Sequence, residues 1–261
     1  MSRSMDQAGP AGSMLPSLVD QVVVVTGGAG GIGSAISRRF AEAGARVVIT
    51  GTDDARARAA AADLPGTGHL GLAAPVDDSE ALRGLAETIT RRYGRLDVLV
   101  NCAAITRLVA HDDLDGLDDE LIDSIFRVNW RGAFACVRAL QDLLAAGNGG
   151  LVVNISALAA TLGFGSNVAY CASKAALNSM TVSLARALAP AIRVVSVSPG
   201  FVDGEYARRL GPGLLESQRE RTPLRRLAEP EDVADAVLAA ATLLRFSTGC
   251  IIPVDGGRPL D

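Results

Sequence analysis

The chain has 261 residues, which is enough for one α/β domain with a large core. Hydrophobic residues make up 49% of the chain and charged residues 21%, as in globular proteins, and the net charge of −4 argues against a nucleic-acid partner. No apolar run approaches the roughly 18–20 residues of a membrane span. Residues 1–17 are rich in Gly, Pro, Ser and Met and lack the apolar segment of a secretory signal. They are therefore predicted to be a disordered tail before a single domain at 18–261.

Cysteine and histidine positions argue against a metal site. The four cysteines are scattered without metal-ligand spacing and lie mostly in apolar runs, which predicts buried, reduced thiols in a cytoplasmic protein. His69 and His111 are the only histidines, too few for a His-rich metal site. Both lie in polar, loop-like stretches, so a Ser-His-Asp triad is not favoured.

The first regular element is a β-branched run at 21–26, which predicts a parallel strand buried on both faces. A glycine-rich turn follows at Gly27–Gly33, and a helical pattern runs from Ser34 to Ala43 before Gly44. This order places free backbone N–H groups and the positive end of a helix dipole where a pyrophosphate can bind. The glycines fit two different motif spacings, so a glycine-rich turn that binds no ligand remains the alternative interpretation at this point.

The second strand ends at Gly51, Thr52 and Asp53, where such folds usually meet the ribose of a bound adenosine. An acid at the strand end would bind the 2′-hydroxyl of NAD, but that position is Gly51, and Asp53 comes two residues later. The small Gly51 and the hydroxyl of Thr52 leave room for a 2′-phosphate, which slightly favours NADPH as the cofactor. Arg56 and Arg58 are candidate phosphate partners, but the pattern favours exposed helix charges at both positions.

Strands and helices alternate along the rest of the chain. Further strands are predicted at 69–76, 96–100, 151–156, 193–198 and 250–254, and helices after a cap at Ser79, over 118–146, over 167–189 and over 231–244. Six strand–helix alternations and a last strand predict an α/β fold with a doubly wound parallel sheet of about seven strands. Ligands bind at the carboxyl ends of such strands. The glycine turn, Asn101, Ser156 and Pro199-Gly200 all fall there.

Tyr170 and Lys174 are the candidate catalytic pair. Residues four apart lie on one face of a helix, and an ammonium beside a phenol favours the phenolate, which lowers a pKa that is normally near 10. A tyrosine can then act as acid or base near neutral pH. Lys174 is also the only lysine among 25 Lys and Arg residues, so a compact ammonium stands at this one position. For this motif alone, a chance pair on an exposed helix is the alternative.

These motifs together resemble the short-chain dehydrogenase/reductase family over nearly the whole chain, from about Leu18 to Leu260. The resembling segments are Thr26–Gly33, Asn101-Cys102-Ala103-Ala104, Asn129, Tyr170-x-x-x-Lys174, Pro199-Gly200 and Val254–Gly257. The resemblance implies a Rossmann fold and hydride transfer between NAD(P)H and a ketone or secondary alcohol, with a 3-oxoacyl thioester as one candidate substrate. It also implies a homo-oligomer, in the simplest case a tetramer of twofold symmetry.

The resemblance implies a role for each matching residue. Tyr170 would donate a proton to a carbonyl or accept one from an alcohol. Lys174 would lower the pKa of Tyr170 and bind the nicotinamide ribose, and Asn129 would hold a water that links Lys174 to solvent. The implied cofactor contacts also include Gly27, Gly31, Ile32 and Gly33 around the pyrophosphate, Thr52 and Asp77 on the adenosine, Asn101 and Ala103 beside it, and Pro199 and Val202 near the carboxamide.

The chain departs from the family pattern in three places. Cys102 and Ala104 replace two residues of the Asn-Asn-Ala-Gly motif after the fourth strand, and Gly204 stands where a threonine often touches the carboxamide. The family's catalytic serine lies thirteen residues before the tyrosine, and this position is Ala157. Ser156 is adjacent, but neighbouring residues of an extended chain point to opposite sides. The alternative function is therefore a catalytically weak or silent nucleotide-binding protein that acts as a sensor or assembly partner.

A substrate pocket is expected between residues 157–168 and a lid near 201–222. The candidate pocket residues are mostly apolar, which favours a neutral, apolar substrate, although ordinary packing explains them equally: Phe164, Phe201, Tyr206, Leu210 and Leu214. Arg208 and Arg209 are candidates for binding a phosphate or carboxylate, but the favoured interpretation is exposed surface arginines.

Overall fold

The computed structural model describes residues 17–147, 149–204, 207 and 212–260. The predicted disordered tail, apart from Ser17, lies outside the described residues. The same holds for four of the residues assigned to the pocket and lid: Tyr206, Arg208, Arg209 and Leu210.

In the described part of the chain, seven parallel strands form one sheet in the order β3-β2-β1-β4-β5-β6-β7, which confirms the predicted architecture. The strands are β1 (Val22–Thr26), β2 (Arg46–Gly51), β3 (Leu70–Ala73), β4 (Val98–Asn101), β5 (Gly150–Ile155), β6 (Ile192–Pro199) and β7 (Ile251–Val254). The strand order reverses direction between β1 and β4. Ligands of such sheets bind in the crevice at this point.

Helices cover both faces of the sheet. They are α1 (Gly31–Glu42), α2 (Asp54–Ala62), α3 (Ser79–Tyr93), α4 (Asp119–Phe126), α5 (Ala133–Ala145), α6 (Ala159–Leu162), α7 (Val168–Leu188), α8 (Pro212–Glu220) and α9 (Pro230–Thr242), with a π-helical segment at Arg127–Gly132 and a 3₁₀ turn at Arg258–Leu260. Among the described residues, no helix is both long enough and apolar enough to cross a membrane.

The four valines of β1 show why this strand lies in the middle of the sheet. Val23 and Val25 belong to the core that α1 and α9 cover, whereas Val22 and Val24 belong to the core under α3 and α5. All four side chains are at most 1% exposed. Successive residues of a strand face opposite sides, so an unbroken apolar run suits a strand covered twice. Burial of each valine contributes roughly 1.5–3 kcal/mol.

Two of the predicted helix features were wrong in detail. Asp78, and not Ser79, caps α3, because its carboxylate accepts the backbone N–H groups of Glu80 and Ala81. The helix predicted over 118–146 is divided by the π-helical segment Arg127–Gly132, which contains Asn129. Single π turns of this kind are rare inside α-helices and are frequent at functional sites.

The strand register aligns a row of polar residues at the carboxyl edge of the sheet. Thr26 lies opposite Asn101, Asn101 opposite Asn154, and Asn154 opposite Ser196. The loops that leave β1 and β4 therefore start at one level, beside the point where the strand order reverses, whereas β5 and β6 continue to Ile155 and Pro199.

Candidate functional site

The glycine turn after β1 is shaped by contacts within its own backbone. Gly27 has a positive φ of 66°, a conformation that favours glycine. A Cβ at Gly33 would lie 2.2 Å from the carbonyl oxygen of Gly27, so no larger residue fits there. A Cβ at Gly31 would meet nothing within 4 Å, which leaves open space in front of the start of α1. The first turn of α1 has no side-chain cap and no acidic residue, as a site for a pyrophosphate requires.

The end of β2 presents a hydroxyl and a guanidinium rather than a free acid. The Asp53 carboxylate accepts the backbone N–H of Arg56 at 3.0 Å and caps α2, so it faces its own helix. The exposed Arg56 side chain reaches back and donates to the carbonyl oxygen of Ala29 in the glycine turn, at 3.1 Å. Thr52 is exposed between these groups. Sequence reasoning treated Arg56 mainly as an exposed helix charge, because a contact across 27 residues leaves no local signal.

The turn after β4 is fixed to the end of β1. The Thr26 hydroxyl oxygen accepts the backbone N–H groups of Cys102 and Ala103, both at 3.1 Å. Asn101 is 4% exposed, and its amide donates to Asn154 Oδ1 at 2.9 Å, so this side chain takes part in a buried hydrogen bond. Asp77 is exposed, and its carboxylate lies 3.6 Å from the Arg127 guanidinium.

Tyr170 and Lys174 lie in the first two turns of α7. The Lys174 ammonium is 5.8 Å from the centroid of the Tyr170 ring and donates to the carbonyl oxygen of Ile155 at 2.7 Å. Tyr170 is half-buried, whereas Lys174 is 3% exposed. The structure therefore brings the predicted pair together beside the carboxyl end of β5. It does not support the alternative of a pair on an exposed helix face.

Burial controls the protonation of Lys174 and of Cys102. Desolvation by burial lowers the pKa of Lys174 to about 8. Burial raises the pKa of Cys102 to about 11, so the thiol stays protonated at neutral pH. Cys102, which departs from the family motif, is thus an uncharged neighbour of Lys174. Sequence reasoning noted the departure but not this proximity.

Asn129 is fully engaged through its side chain. Its oxygen accepts the backbone N–H of Ile105 at 2.8 Å, and its nitrogen donates to the Ile105 carbonyl and to Ser173 Oγ, each at 3.1 Å. A water held by this residue would therefore have to use its backbone, within the π turn. The role of Asn129 in holding a water stays a prediction.

Ala157 and Ser156 contact different parts of the site. Ala157 is 9% exposed and packs with Ala159, Cys171 and the Tyr170 ring. The Ser156 hydroxyl is 2% exposed and donates to the backbone carbonyl of Lys174 at 3.4 Å. Ala157 thus belongs to the cluster against which Tyr170 packs, whereas the Ser156 hydroxyl bonds to the backbone of α7.

The carboxyl end of β6 leads into the predicted lid. Pro199 ends the strand, and the backbone of Val202 forms a bridge with Ala228. Within the described residues the lid contains α8, whose Arg219 lies 3.8 Å from the Asp203 carboxylate. In the same described ranges, no group of three His, Cys, Asp or Glu side chains could hold a metal ion.

The comparisons with known proteins agree with this geometry. Residues 27–258 match the model of a family described as enoyl-(acyl carrier protein) reductase. A protein assigned as ketoacyl reductase 2 of the granaticin polyketide synthase of Streptomyces violaceoruber is 37% identical over 92% of this chain and 96% of its own. The 3-oxoacyl-[acyl-carrier-protein] reductase of Aquifex aeolicus is 34% identical over 92% of this chain and 98% of its own.

A solved structure of a similar protein shares the fold along the chain. A short-chain dehydrogenase/reductase of Brucella melitensis, named glucose/ribitol dehydrogenase, superposes with a TM-score of 0.88 at 29% identity. It covers 94% of this chain and 99% of its own. The sequence matches, the strand order and the placement of the Tyr-Lys pair lead to one conclusion: the chain belongs to the short-chain dehydrogenase/reductase family and is an oxidoreductase.

Proposed function

We propose that the protein transfers a hydride between NAD(P)H and a ketone or secondary alcohol, with Tyr170 as the acid or base. The observation that carries the proposal is the buried Lys174 ammonium beside the Tyr170 ring, at the sheet edge that also holds the glycine turn. The glycine turn fits a dinucleotide because Gly31 faces open space and the start of α1 carries no competing acid. The nicotinamide, when bound, supplies or accepts the hydride.

The residues of this chain would bind and orient the reactants and move one proton. Gly27, Gly31, Ile32 and Gly33 would surround the pyrophosphate. The further cofactor contacts would come from Thr52, Asp77, Asn101, Ala103, Pro199 and Val202. Lys174 would hold the ribose hydroxyls and favour the phenolate of Tyr170. Tyr170 would give its proton to a carbonyl oxygen or take one from an alcohol.

NADPH is the proposed preference over NADH. An acid that binds the ribose 2′-hydroxyl would repel a phosphate at the same place. The Asp53 carboxylate accepts the backbone N–H of Arg56 in α2, and the Arg56 guanidinium reaches from α2 to the glycine turn. Both observations favour a negatively charged 2′-phosphate near Thr52.

The proposed substrate is neutral and largely apolar, with a 3-oxoacyl compound as the first candidate. Three exposed apolar side chains lie in the segments that follow β4 and β5, namely Ile105, Leu162 and Phe164, at 39%, 47% and 62% exposure. The lid near 201–222 would cover them. The ketoacyl and oxoacyl reductases among the relatives favour the same substrate class.

Turnover with a panel of carbonyl compounds tests this function. We expect NADPH oxidation with apolar ketones and 3-oxoacyl thioesters, slower oxidation of NADH, and loss of turnover in Tyr170→Phe, which keeps the ring but removes the hydroxyl. Tyr93→Phe is the matched control. The Tyr93 hydroxyl donates to the carbonyl oxygen of Gly68, before the amino end of β3, whereas the candidate site lies at the carboxyl ends of the strands. Cofactor binding without turnover of any ketone or alcohol would instead support the sensor or assembly partner, which the relatives named as reductases do not favour.

The protein is proposed to be a cytoplasmic homotetramer. Within the described residues all four cysteines are unpaired, as expected in a reducing compartment. The family pairs its long central helices across a twofold axis, and this surface here carries Trp130 and Phe134, stacked at 6.2 Å between ring centroids. Both rings are more than a third exposed, at 36% and 37%.

Light scattering should show a tetramer at micromolar concentration. Trp130→Glu combined with Phe134→Glu should shift the mass to smaller species, because charges replace the apolar contact. Leu114→Glu changes an exposed leucine elsewhere, at 75% exposure, and should leave the mass unchanged. A wild-type monomer under these conditions would refute the tetramer.

A further inference from the structure

Asn167 lies at the start of α7, three residues before Tyr170, and was not singled out from the sequence. Its side chain is almost completely buried, at 1% exposure, and its backbone is extended. The side-chain oxygen accepts the backbone N–H of Tyr170 at 2.7 Å, so Asn167 is the N-cap of α7. A serine or aspartate side chain could supply the same capping oxygen.

The other half of the same amide reaches a different loop. The Asn167 nitrogen donates to the carbonyl oxygen of Arg107 at 2.7 Å and to the Thr106 hydroxyl at 3.3 Å. This loop follows β4 and its Cys102–Ala103 turn, which is assigned to the cofactor side. Only a short side chain with an acceptor and two donors can cap α7 and hold this loop together.

Asn129 holds the same loop from its other side. It binds both backbone groups of Ile105 and donates to Ser173 Oγ, which in turn donates to the Tyr170 carbonyl oxygen at 2.8 Å. Two buried amides therefore connect residues 105–107 to the first two turns of α7. The loop before α7 adds a backbone bond from Val109 to Ser166 at 2.8 Å.

We propose that Asn167 is a positioning residue for Tyr170: its single amide fixes the turn of α7 that carries the phenol to the loop that follows the cofactor-side turn of β4. The inference rests on the proposed function, because it gives Tyr170 the acid–base role. Small displacements of a reacting group lower the rate strongly, by up to about 10² for about 1 Å.

Asn167→Ser separates the two halves of the amide, because serine keeps the cap oxygen and loses the two donors to the loop. We expect kcat to fall at least about tenfold, with the KM for NADPH within about twofold of the wild-type value. The pH profile of alcohol oxidation should shift by about half a unit or more, since the phenol changes its distance from Lys174. Asn167→Ala, which also loses the cap, should be less stable and no more active.

Asp78→Ala is the matched control for capping alone. It removes the N-cap of α3 without a contact to residues 105–107, so it should lower the melting temperature and leave kcat and the pH profile unchanged. If Asn167→Ser retains kcat and the pH profile of the wild type while Tyr170→Phe is inactive, the positioning role is overturned.

A failure of the proposed function itself has a different signature, namely no turnover by the wild type. The inference is then decided by titrating the phenol directly through tyrosinate absorbance. The titrated proteins also carry Tyr93→Phe and Tyr206→Phe, so that Tyr170 is the one that remains of the three tyrosines in the chain. An identical titration curve in Asn167→Ser would overturn the positioning role, and a shifted curve would support it.

Discussion

Ala157→Ser is expected to raise kcat at least about tenfold, because it restores a hydrogen-bond donor next to Tyr170. Ala157 belongs to the apolar cluster against which Tyr170 packs. In the family arrangement, the side chain at this position lies beside the substrate oxygen on which charge develops. Loss of one such preorganised donor typically costs about 10²–10³ in rate. A serine side chain is only slightly larger than alanine, and stability should stay within about 0.5 kcal/mol. Steady-state kinetics with the best ketone of the panel measures the gain.

Ala159→Ser is the matched control, since Ala159 belongs to the same apolar cluster and is equally buried, at 9% exposure. It should not raise kcat. A second comparison is Ser156→Ala, which removes the weak bond to the Lys174 carbonyl and should have little effect on rate. If Ser156→Ala abolishes turnover and Ala157→Ser changes nothing, Ser156 is the donor and the loop rearranges when substrate binds.

Lys174→Met is expected to lower kcat by at least about 10², and at the same time to stabilise the protein without cofactor. Burial lowers the pKa of Lys174 from 10.5 to about 8, so the charged form is disfavoured by on the order of 3 kcal/mol in the folded state. Methionine removes this penalty and loses the hydrogen bond to Ile155, worth about 1 kcal/mol. A net gain of about 1–3 kcal/mol should appear in urea unfolding at pH 7.

The sign of the pH dependence provides an independent check. Below pH 8 the lysine is charged in both states, so the penalty is fully present. Between about pH 8 and 10.5 the unfolded chain binds more protons than the folded one, and stability rises with pH. The advantage of Lys174→Met should therefore shrink across this window. An advantage that stays constant from pH 7 to 10.5 would show that burial does not lower the pKa of Lys174, because the lysine would then bind its proton equally in the folded and unfolded states.

Lys174→Arg keeps the charge and should still lose at least about tenfold in rate. The planar guanidinium cannot take the place of an ammonium that serves both the ribose hydroxyls and the phenol. For Lys174→Met, the control for removal of a positive charge is Arg83→Met on the exposed face of α3, which should change neither rate nor stability appreciably. Near-native activity of Lys174→Arg would contradict the role given to Lys174.

The sequence predicted those parts of the molecule whose cause is local. The valine run of β1 marks a strand covered on both faces, and the i, i+4 spacing places Tyr170 beside Lys174. Features that depend on distant contacts were not predicted. The π turn around Asn129 is an example. The helical pattern of the sequence continues through it without a break, and only contacts with the rest of the protein distinguish a π turn from an α-helical turn.

Asn167 and Arg56 show the same limit for the candidate site. An asparagine before a helix indicates a cap, and this half of its role was open to sequence reasoning. Its second set of bonds crosses 60 residues to Arg107, and the Arg56 side chain crosses 27 residues to Ala29. Both contacts follow from the strand order, which places the end of β5 beside that of β4 and the end of β2 beside that of β1.

The glycine turn is closed by its own backbone, since the carbonyl of Gly27 occupies the space beside Gly33 that any side chain would need. Its conformation is therefore set when the chain folds and not when a ligand arrives. The conformational entropy of the turn is lost during folding, and association of a dinucleotide has to order little more than the ligand itself. Calorimetry of cofactor binding should accordingly show the heat-capacity change of surface burial alone, without a contribution from a loop that folds on binding.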